Sequence, residues 1–424
     1  MMSPSVEQKN ITQEILSKVT LEGKIRNQAR EALASLGLPA SKSEEYKFAP
    51  VTRILENNFN LSDFSVDSSK ATDLSSFAVN NLDAHVLVII NGSFHQSLSS
   101  YDEHDLKIEL LNQESGKLGT LADYNSDALV AWNTAAWSTA VRIVVEENTS
   151  VKKPVIIHQI IDTTNQEIKC FNRVLIELGK SSELTVVEKL DTIGNHYNGF
   201  SNVVTEAFIE PNAELNYYSL QTDSSNRYHF SQTSVWQARD SRANCFTLTM
   251  DGKFIRNNLQ IILDGEGCES HLFGLYLVKD DTLVDNHTVV DHKKANSFSN
   301  ELYKGIIDGN ARGVFNGKIF VRPNAQKTNA FQSNRNILLS DKATVNTKPQ
   351  LEIWADDVKC SHGCTTGQLD EEALFYLRAR GIGEDTARAM MLYAFAGEVI
   401  ESLKSESIKS YIDSLISERL HKNF

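Results

Sequence analysis

Long hydrophobic runs, an excess of basic residues and abundant cysteines are all absent from this chain of 424 residues. Its longest apolar stretches, 86–90 and 389–396, are far shorter than the roughly 20 residues that a membrane-spanning helix needs. Lysine and arginine total 42 against 55 acidic residues, which gives a net charge of −13. No basic excess exists to displace counterions from a phosphate backbone, so we expect neither nucleic acid nor membrane as a partner.

Cysteine occurs only five times, an odd number in a long chain, which is not typical of a disulfide framework. The opening residues MMSPSVEQKN lack a basic segment followed by an apolar run, so we expect no signal peptide. Together these features predict a cytoplasmic protein in a reducing compartment, where thiols remain available for metal or sulfur chemistry.

The motifs GxxxxGK[ST], GxGxxG after a strand, GxSxG and HExxH are also missing, which argues against nucleotide binding and the common hydrolases. One group of polar residues stands out: Asp285, His287, Asp291 and His292 in VDNHTVVDH. It could be an acid–base or metal cluster of a carbohydrate-active enzyme. It supplies no nucleophile and no closed ligand set, so a solvated turn is the favoured interpretation.

The pattern of apolar residues predicts helices at both ends of the chain and strands between them. Helical periodicity runs from residue 11 to 36 and ends at Gly37, and a strand over 85–90 closes with the turn pair Asn91-Gly92. From about residue 140, short apolar strands end in an acid or serine and a turn, at Glu146, Glu177, Glu210, Asp264, Asp308 and Ser340. This degenerate repeat favours a β-solenoid over a sandwich array, because sandwich hairpins recur at roughly 8 to 12 residues.

After residue 366 the pattern becomes helical again. Asp370 is a plausible N-cap for a helix that stops at Gly381, and a second helix is expected from near Glu384 towards Leu403. A third helix carries a continuous apolar stripe: Ile408, Tyr411, Ile412, Leu415 and Ile416. We expect these helices to cap the end of the solenoid.

The predicted fold class is therefore mainly β. We divide the chain into a helix-rich N-terminal domain over 1–105, a β-helix core over 106–365 and a helical C-terminal domain over 366–424. The candidate core or inter-coil positions are Val174, Ile176, Phe208, Leu215, Val314, Ile319, Phe320, Leu338 and Ile353. Successive strand residues point to opposite faces, so the neighbours Ile319 and Phe320 cannot both point inward.

The best chemical clue is the segment VKCSHGC at 358–364, which holds two of the five cysteines and a histidine. If the segment is extended, Cys360, His362 and Cys364 project from one face. Thiolate and imidazole are suited to iron, zinc or an iron–sulfur cluster. Same-face neighbours lie about 6.5 Å apart, however, so one strand makes an incomplete site. The alternatives are a free-standing zinc site and two buried cysteines beside a core histidine.

The sequence resembles the SufB/SufD family of iron–sulfur cluster assembly proteins, and its SufD branch most. The resemblance is carried by GLYLV at 274–278, VDNHTVVDH at 284–292, ELYKGIIDGNARGVFNGKIFV at 301–321, AQKTNAFQSNRNILLSDKATVNTKPQLEIWADDVKCSHG at 325–363 and GQLDEEALFYLRARGI at 367–382. GLPASKSEEYKFAP at 37–50 matches more loosely. Cys364 departs from the pattern, because alanine is more common after the glycine of KCSHG.

The resemblance implies a right-handed parallel β-helix between helical domains. It also implies a non-catalytic scaffold that acts with a SufB-like paralogue and two copies of an ABC-type ATPase, which binds the C-terminal helices. A nascent cluster or iron would be shared with the paralogue, with His362 as a ligand and Cys360 as a less secure second candidate. A flavin in the complex and a homodimer in isolation are also compatible with the resemblance.

Overall fold

A computed structural model describes residues 6–41, 43–61, 82–222 and 226–423, and within them most regular structure is β-strand. Residues 62–81 of the range expected for the N-terminal domain lie outside the described residues. In chain order the strands are β1 (His85–Ile90), β2 (Ser93–Phe94), β3 (Lys107–Leu111), β4 (Ala140–Val145), β5 (Val155–Asp162), β6 (Ile168–Leu178), β7 (Glu183–Ile193), β8 (Gly199–Ile209), β9 (Glu214–Gln221), β10 (Arg227–Gln237), β11 (Arg242–Thr249), β12 (Phe254–Leu263), β13 (Glu269–Val278), β14 (Leu283–His292), β15 (Phe298–Ile307), β16 (Arg312–Val321), β17 (Asn329–Leu338), β18 (Thr344–Ile353) and β19 (Lys359–Gly367).

Seven α-helices flank or interrupt these strands within the described residues. They are α1 (Val6–Lys18), α2 (Lys24–Leu36), α3 (Val51–Asn58), α4 (Ala128–Ala136), α5 (Glu371–Ala379), α6 (Glu384–Ile400) and α7 (Glu406–Asn423). Asp370 caps α5 by accepting hydrogen bonds from the backbone N–H groups of Glu372 and Ala373, as predicted. In the part of the chain that the structure describes, no helix combines the length and apolar character needed to cross a membrane.

Two sheets wind into a parallel β-solenoid, which confirms the predicted fold class. β1, β2 and the odd-numbered strands from β5 onward form a ten-stranded sheet, and β3, β4 and the even-numbered strands from β6 form a nine-stranded sheet. Each coil contributes one strand to each sheet, and strands of successive coils pair in parallel, as β12 does with β10 and β14. The first solenoid strand, β1, begins before residue 106, so the expected domain boundary does not coincide with the start of the sheet.

The solenoid interior is a row of alternate residues from each strand, and four of the nine predicted positions are buried there. Ile319 points inward, whereas its neighbour Phe320 lies on the outer face and stacks on Trp354, as period-two alternation requires. Val314 is buried on the outer face instead. The predicted burial of Ile353 is wrong, because β18 belongs to the last coil and leaves that side chain 40 % exposed. The confirmed interior positions are Val174, Ile176, Leu215 and Ile319.

The helices cover the outer faces of the two sheets. α2 and α4 lie with their apolar residues against the nine-stranded sheet, and α6 and α7 lie against the ten-stranded sheet. The expectation that the C-terminal helices cap the solenoid end is therefore wrong. Their apolar residues pack instead against the outer face of the ten-stranded sheet, where burial removes apolar surface of both partners from water. The sheet residues buried there include Leu220, Phe246, Leu248, Leu275 and Ile306.

A buried ion pair holds the loop at 119–122 against the solenoid. Arg173 Nη2 donates to Glu206 Oε2 at 2.9 Å, and both side chains are completely buried. The same carboxylate accepts hydrogen bonds from the backbone N–H groups of Gly119, Leu121 and Ala122 at 2.7 to 3.0 Å. The buried Glu206 carboxylate thus accepts four hydrogen bonds, two at each oxygen. Its charge is compensated, and the ion pair anchors this loop.

Candidate functional site

The segment that carries the two thiols and the imidazole forms β19, the last strand of the ten-stranded sheet. β19 pairs in parallel with β17, which places Cys360 opposite Ala330, His362 opposite Gln332 and Cys364 opposite Asn334. These three β17 residues are buried on the inner face of the sheet. The segment is extended, so the condition for a shared face is met, and the three side chains share the face that continues the solenoid interior.

Exposure separates the three candidate ligands. His362 and Cys364 are exposed, so neither is a buried core residue, whereas Cys360 is half-buried and packs against the interior apolar cluster. Burial raises the pKa of the Cys360 thiol, which disfavours the thiolate. Among the described residues, no group of three or more His, Cys, Asp or Glu side chains is arranged to hold a metal ion. The strand therefore offers ligands at the open end of the solenoid without enclosing a metal.

Polar side chains line the interior directly behind His362. Glu301, Gln332 and His362 occupy consecutive positions across β15, β17 and β19. Gln332 Nε2 donates to Glu301 Oε2 at 2.7 Å, and both side chains are almost completely buried. Burial raises the pKa of Glu301 to about 7. Sequence reasoning missed this pair, because β15 carries Ser299, Asn300 and Lys304 as well and Glu301 does not stand out among them.

The residues of VDNHTVVDH do not form one cluster, because strand alternation divides them between the two faces of β14. Asp285 lies on the outer face, 2.7 Å from Arg256 and 2.9 Å from His287. Asp291 pairs with Arg322 farther along the same face. The fourth residue points inward, where His292 Nε2 lies 2.9 Å from the hydroxyl of Ser299. An acid–base centre built from all four residues is therefore excluded by the geometry.

The outer-face members of this motif hold the segment at 43–50 instead. His287 Nδ1 lies 3.4 Å from Glu45 Oε2, and Lys318 donates to the other carboxylate oxygen at 2.6 Å. The hydrogen bond with His287, together with Lys318, lowers the pKa of Glu45 to about 2. Arg256 donates to the backbone carbonyl of Glu45 and lies over the Tyr46 ring at 4.2 Å. These contacts fasten the segment at 43–50 to three successive coils of the solenoid, through β12, β14 and β16.

Two family models match almost the whole chain. The SufBD protein N-terminal region matches residues 7–157, and the SufBD core domain of the SUF system for FeS cluster assembly matches residues 160–395. The chain belongs to the SufBD family. Its first match ends inside β5, so the division between the family regions falls among the early solenoid strands.

SufBD relatives from bacteria and a plant align with this chain over most of its length and most of their own. The iron–sulfur cluster assembly protein SufD of Escherichia coli is 30 % identical over 400 residues, which are 93 % of this chain and 92 % of that protein. A SufBD family protein of Synechocystis is 30 % identical over 412 residues, 92 % of this chain and 90 % of the relative. The chloroplastic protein ABCI7 of Arabidopsis thaliana is 29 % identical over 407 residues, which are 91 % of this chain and 83 % of that protein. The resemblance to the SufD branch is confirmed.

This SufBD chain also exposes four large apolar side chains on its C-terminal helices. Phe375 and Tyr376 on α5 are 73 % and 57 % exposed, and Met390 and Tyr393 on α6 are 47 % and 38 % exposed. We call these four residues the α5–α6 surface. Large aromatic side chains in solvent are enriched at protein interfaces, so the surface is suited to binding another protein.

Proposed function

We propose that this chain is a non-catalytic scaffold subunit of a SUF-type iron–sulfur cluster assembly complex. Its substrate is iron or a nascent cluster, held at the junction with a SufB-like paralogue. The carrying observation is that His362 and Cys364 stand exposed on the last coil, where a second chain can complete the ligand set. His362 is the primary ligand in this proposal, and Cys360 becomes a second ligand only if its half-buried thiol is drawn out.

The paralogue is proposed to bind at the same open end. β18 and β19 are the last strands of the two sheets, so one edge of each strand lacks a neighbour within the described chain. Unpaired edges of this kind are templates for strand pairing with another protein. Ile353 adds exposed apolar area at this end. Ile353→Asp should weaken copurification of the paralogue while leaving the ATPase bound.

The ligand proposal is tested by coexpressing the chain with the paralogue and the ATPase and measuring iron and sulfide in the purified complex. His362→Ala should lower both while folding and partner binding are kept, since an exposed side chain contributes little to stability. Thr366→Ala is the matched control, because Thr366 is also exposed and lies on the same face of β19. Normal iron and sulfide in the His362→Ala complex would refute the role of His362.

The ABC-type ATPase is proposed to bind the α5–α6 surface. Deleting residues 366–424 would also remove α6 and α7 from the side of the ten-stranded sheet and uncover its apolar face, so point substitutions are the sharper test. Phe375→Asp should abolish copurification of the ATPase but not of the paralogue. Glu372→Ala, at an exposed position of the same helix, is the control. Retention of the ATPase by Phe375→Asp would move its binding site elsewhere.

All five cysteines are free, which supports a reducing cytoplasm as the compartment.

Three further parts of the proposal are measured on purified material. The visible spectrum of the complex tests for the flavin, and sedimentation of the isolated chain tests for the homodimer. Stoichiometric zinc in the isolated chain would support a free-standing zinc site instead of a shared one.

A further inference from the structure

We infer that Gln332, held by Glu301, is the positioning residue that orients His362 for metal binding. The inference rests on the proposed function of His362 as a ligand. It concerns the ring nitrogen that does not bind the metal. A histidine ligand usually donates that second ring N–H to a carboxylate or carbonyl oxygen, which fixes the tautomer and the ring plane.

The position of Gln332 in the sheet makes it the immediate neighbour of His362. β17 lies between β15 and β19, and Gln332 is in register with Glu301 on one side and with His362 on the other. Neighbouring strands are about 4.8 Å apart, so a side chain on the inner face of β19 lies within reach of Gln332. His362 is exposed, so its side chain can adopt different rotamers, whereas the Gln332 side chain is buried.

The hydrogen bond to Glu301 uses the nitrogen end of the Gln332 amide. Gln332 Nε2 donates to Glu301 Oε2 at 2.7 Å, and an oxygen of the carboxyl group accepts such a bond in either protonation state. The amide oxygen of the same side chain makes no hydrogen bond with Glu301 and is left for a donor on β19. That oxygen, Gln332 Oε1, is buried and has no hydrogen-bond partner among the described residues. A buried acceptor without a donor is costly, and a ring N–H of His362 would satisfy it.

The opposite sheet leaves room for this arrangement. Gly317 of β16 faces Gln332 across the interior, and a Cβ at Gly317 would collide with Nε2 of Gln332 and lie 2.8 Å from its Cδ. The absence of a side chain at 317 therefore allows Gln332 to extend inward to Glu301. Any larger residue would displace the amide and with it the acceptor offered to His362.

Ferrous iron binding by the complex of this chain, the paralogue and the ATPase tests the inference. Gln332→Leu keeps the bulk of the side chain but removes the acceptor, and it should weaken iron affinity by about tenfold to a hundredfold, the range typical of such outer partners. Ser333→Ala, on the opposite face of β17, is the control and should bind iron normally. The double substitution Glu301→Gln with Gln332→Glu reverses the donor and acceptor within the pair while still presenting an oxygen to His362, and it should restore affinity.

The outcomes separate this inference from the proposed function. Loss of iron with His362→Ala but normal affinity with Gln332→Leu would overturn the inference alone. Normal affinity with both variants would overturn the ligand role itself. If Gln332→Leu weakens binding and the double substitution does not restore it, Gln332 acts only through packing, and the inference fails. A change in the ¹⁵N chemical shifts of the His362 ring in Gln332→Leu, absent in Ser333→Ala, is the independent readout that we expect.

Discussion

Replacing Glu188 by glutamine should make the protein more stable at alkaline pH. Glu188 lies on the inner face of β7, 1 % exposed, and accepts a hydrogen bond from the Tyr217 hydroxyl at 2.9 Å. Burial raises the pKa of this carboxyl from 4.5 to about 7, an effect that the hydrogen bonds oppose only in part. The native state therefore prefers the protonated acid, and ionisation at higher pH destabilises it.

The magnitude follows from the difference between the unfolded and native pKa values. The stability that the protonated Glu188 carboxyl contributes is fully present below pH 4.5 and is lost as the pH rises through about 7. Proton linkage gives a loss of about 1 kcal/mol at pH 5 and about 3 kcal/mol at pH 8. Glutamine cannot ionise, so the advantage of Glu188→Gln over the wild type should grow by about 2 kcal/mol between these two pH values.

Urea unfolding of both proteins at pH 5 and pH 8 measures this difference, because the pH dependence of all other groups is common to the two chains. Glu183→Gln, on the exposed end of the same strand, is the control and should show no such change. An equal stability difference at both pH values would mean that Glu188 is solvated in the native protein, and the reasoning about the solenoid interior would be refuted.

Four other substitutions test three separate parts of the structure. Glu206→Ala should cost about 3 to 5 kcal/mol in urea unfolding, because it leaves a buried guanidinium unpaired; a cost below about 1 kcal/mol would contradict the burial. Cys360→Ala should cost about 1 kcal/mol through lost packing, whereas Cys364→Ala should be nearly silent in the same measurement. Arg256→Ala should speed tryptic cleavage after Lys47, because it releases the backbone of the segment at 43–50; an unchanged rate would show that other contacts suffice.

Local features of the sequence were enough to predict many elements of the structure. Three of these elements depend only on residues close together in the sequence: the Asp370 cap, the apolar stripe of α7 and the Asn91-Gly92 turn. Such local patterns can be recognised without knowing the tertiary structure. The alternation of β19 likewise follows from strand geometry alone, and it correctly put Cys360, His362 and Cys364 on one face. The repeated strand-and-turn units favoured a β-solenoid, and the family resemblance added that its strands are parallel.

Which face becomes the interior, and what covers the other face, was decided only by the tertiary structure. Central strands are buried on both sides, because helices lie on the outer faces of both sheets, so a buried position such as Val314 can belong to either. The same uncertainty concealed the division of the VDNHTVVDH residues between two faces. It also concealed the pairing of Glu301 with Gln332 across neighbouring coils, since residues about 30 positions apart in sequence meet only when the coils stack.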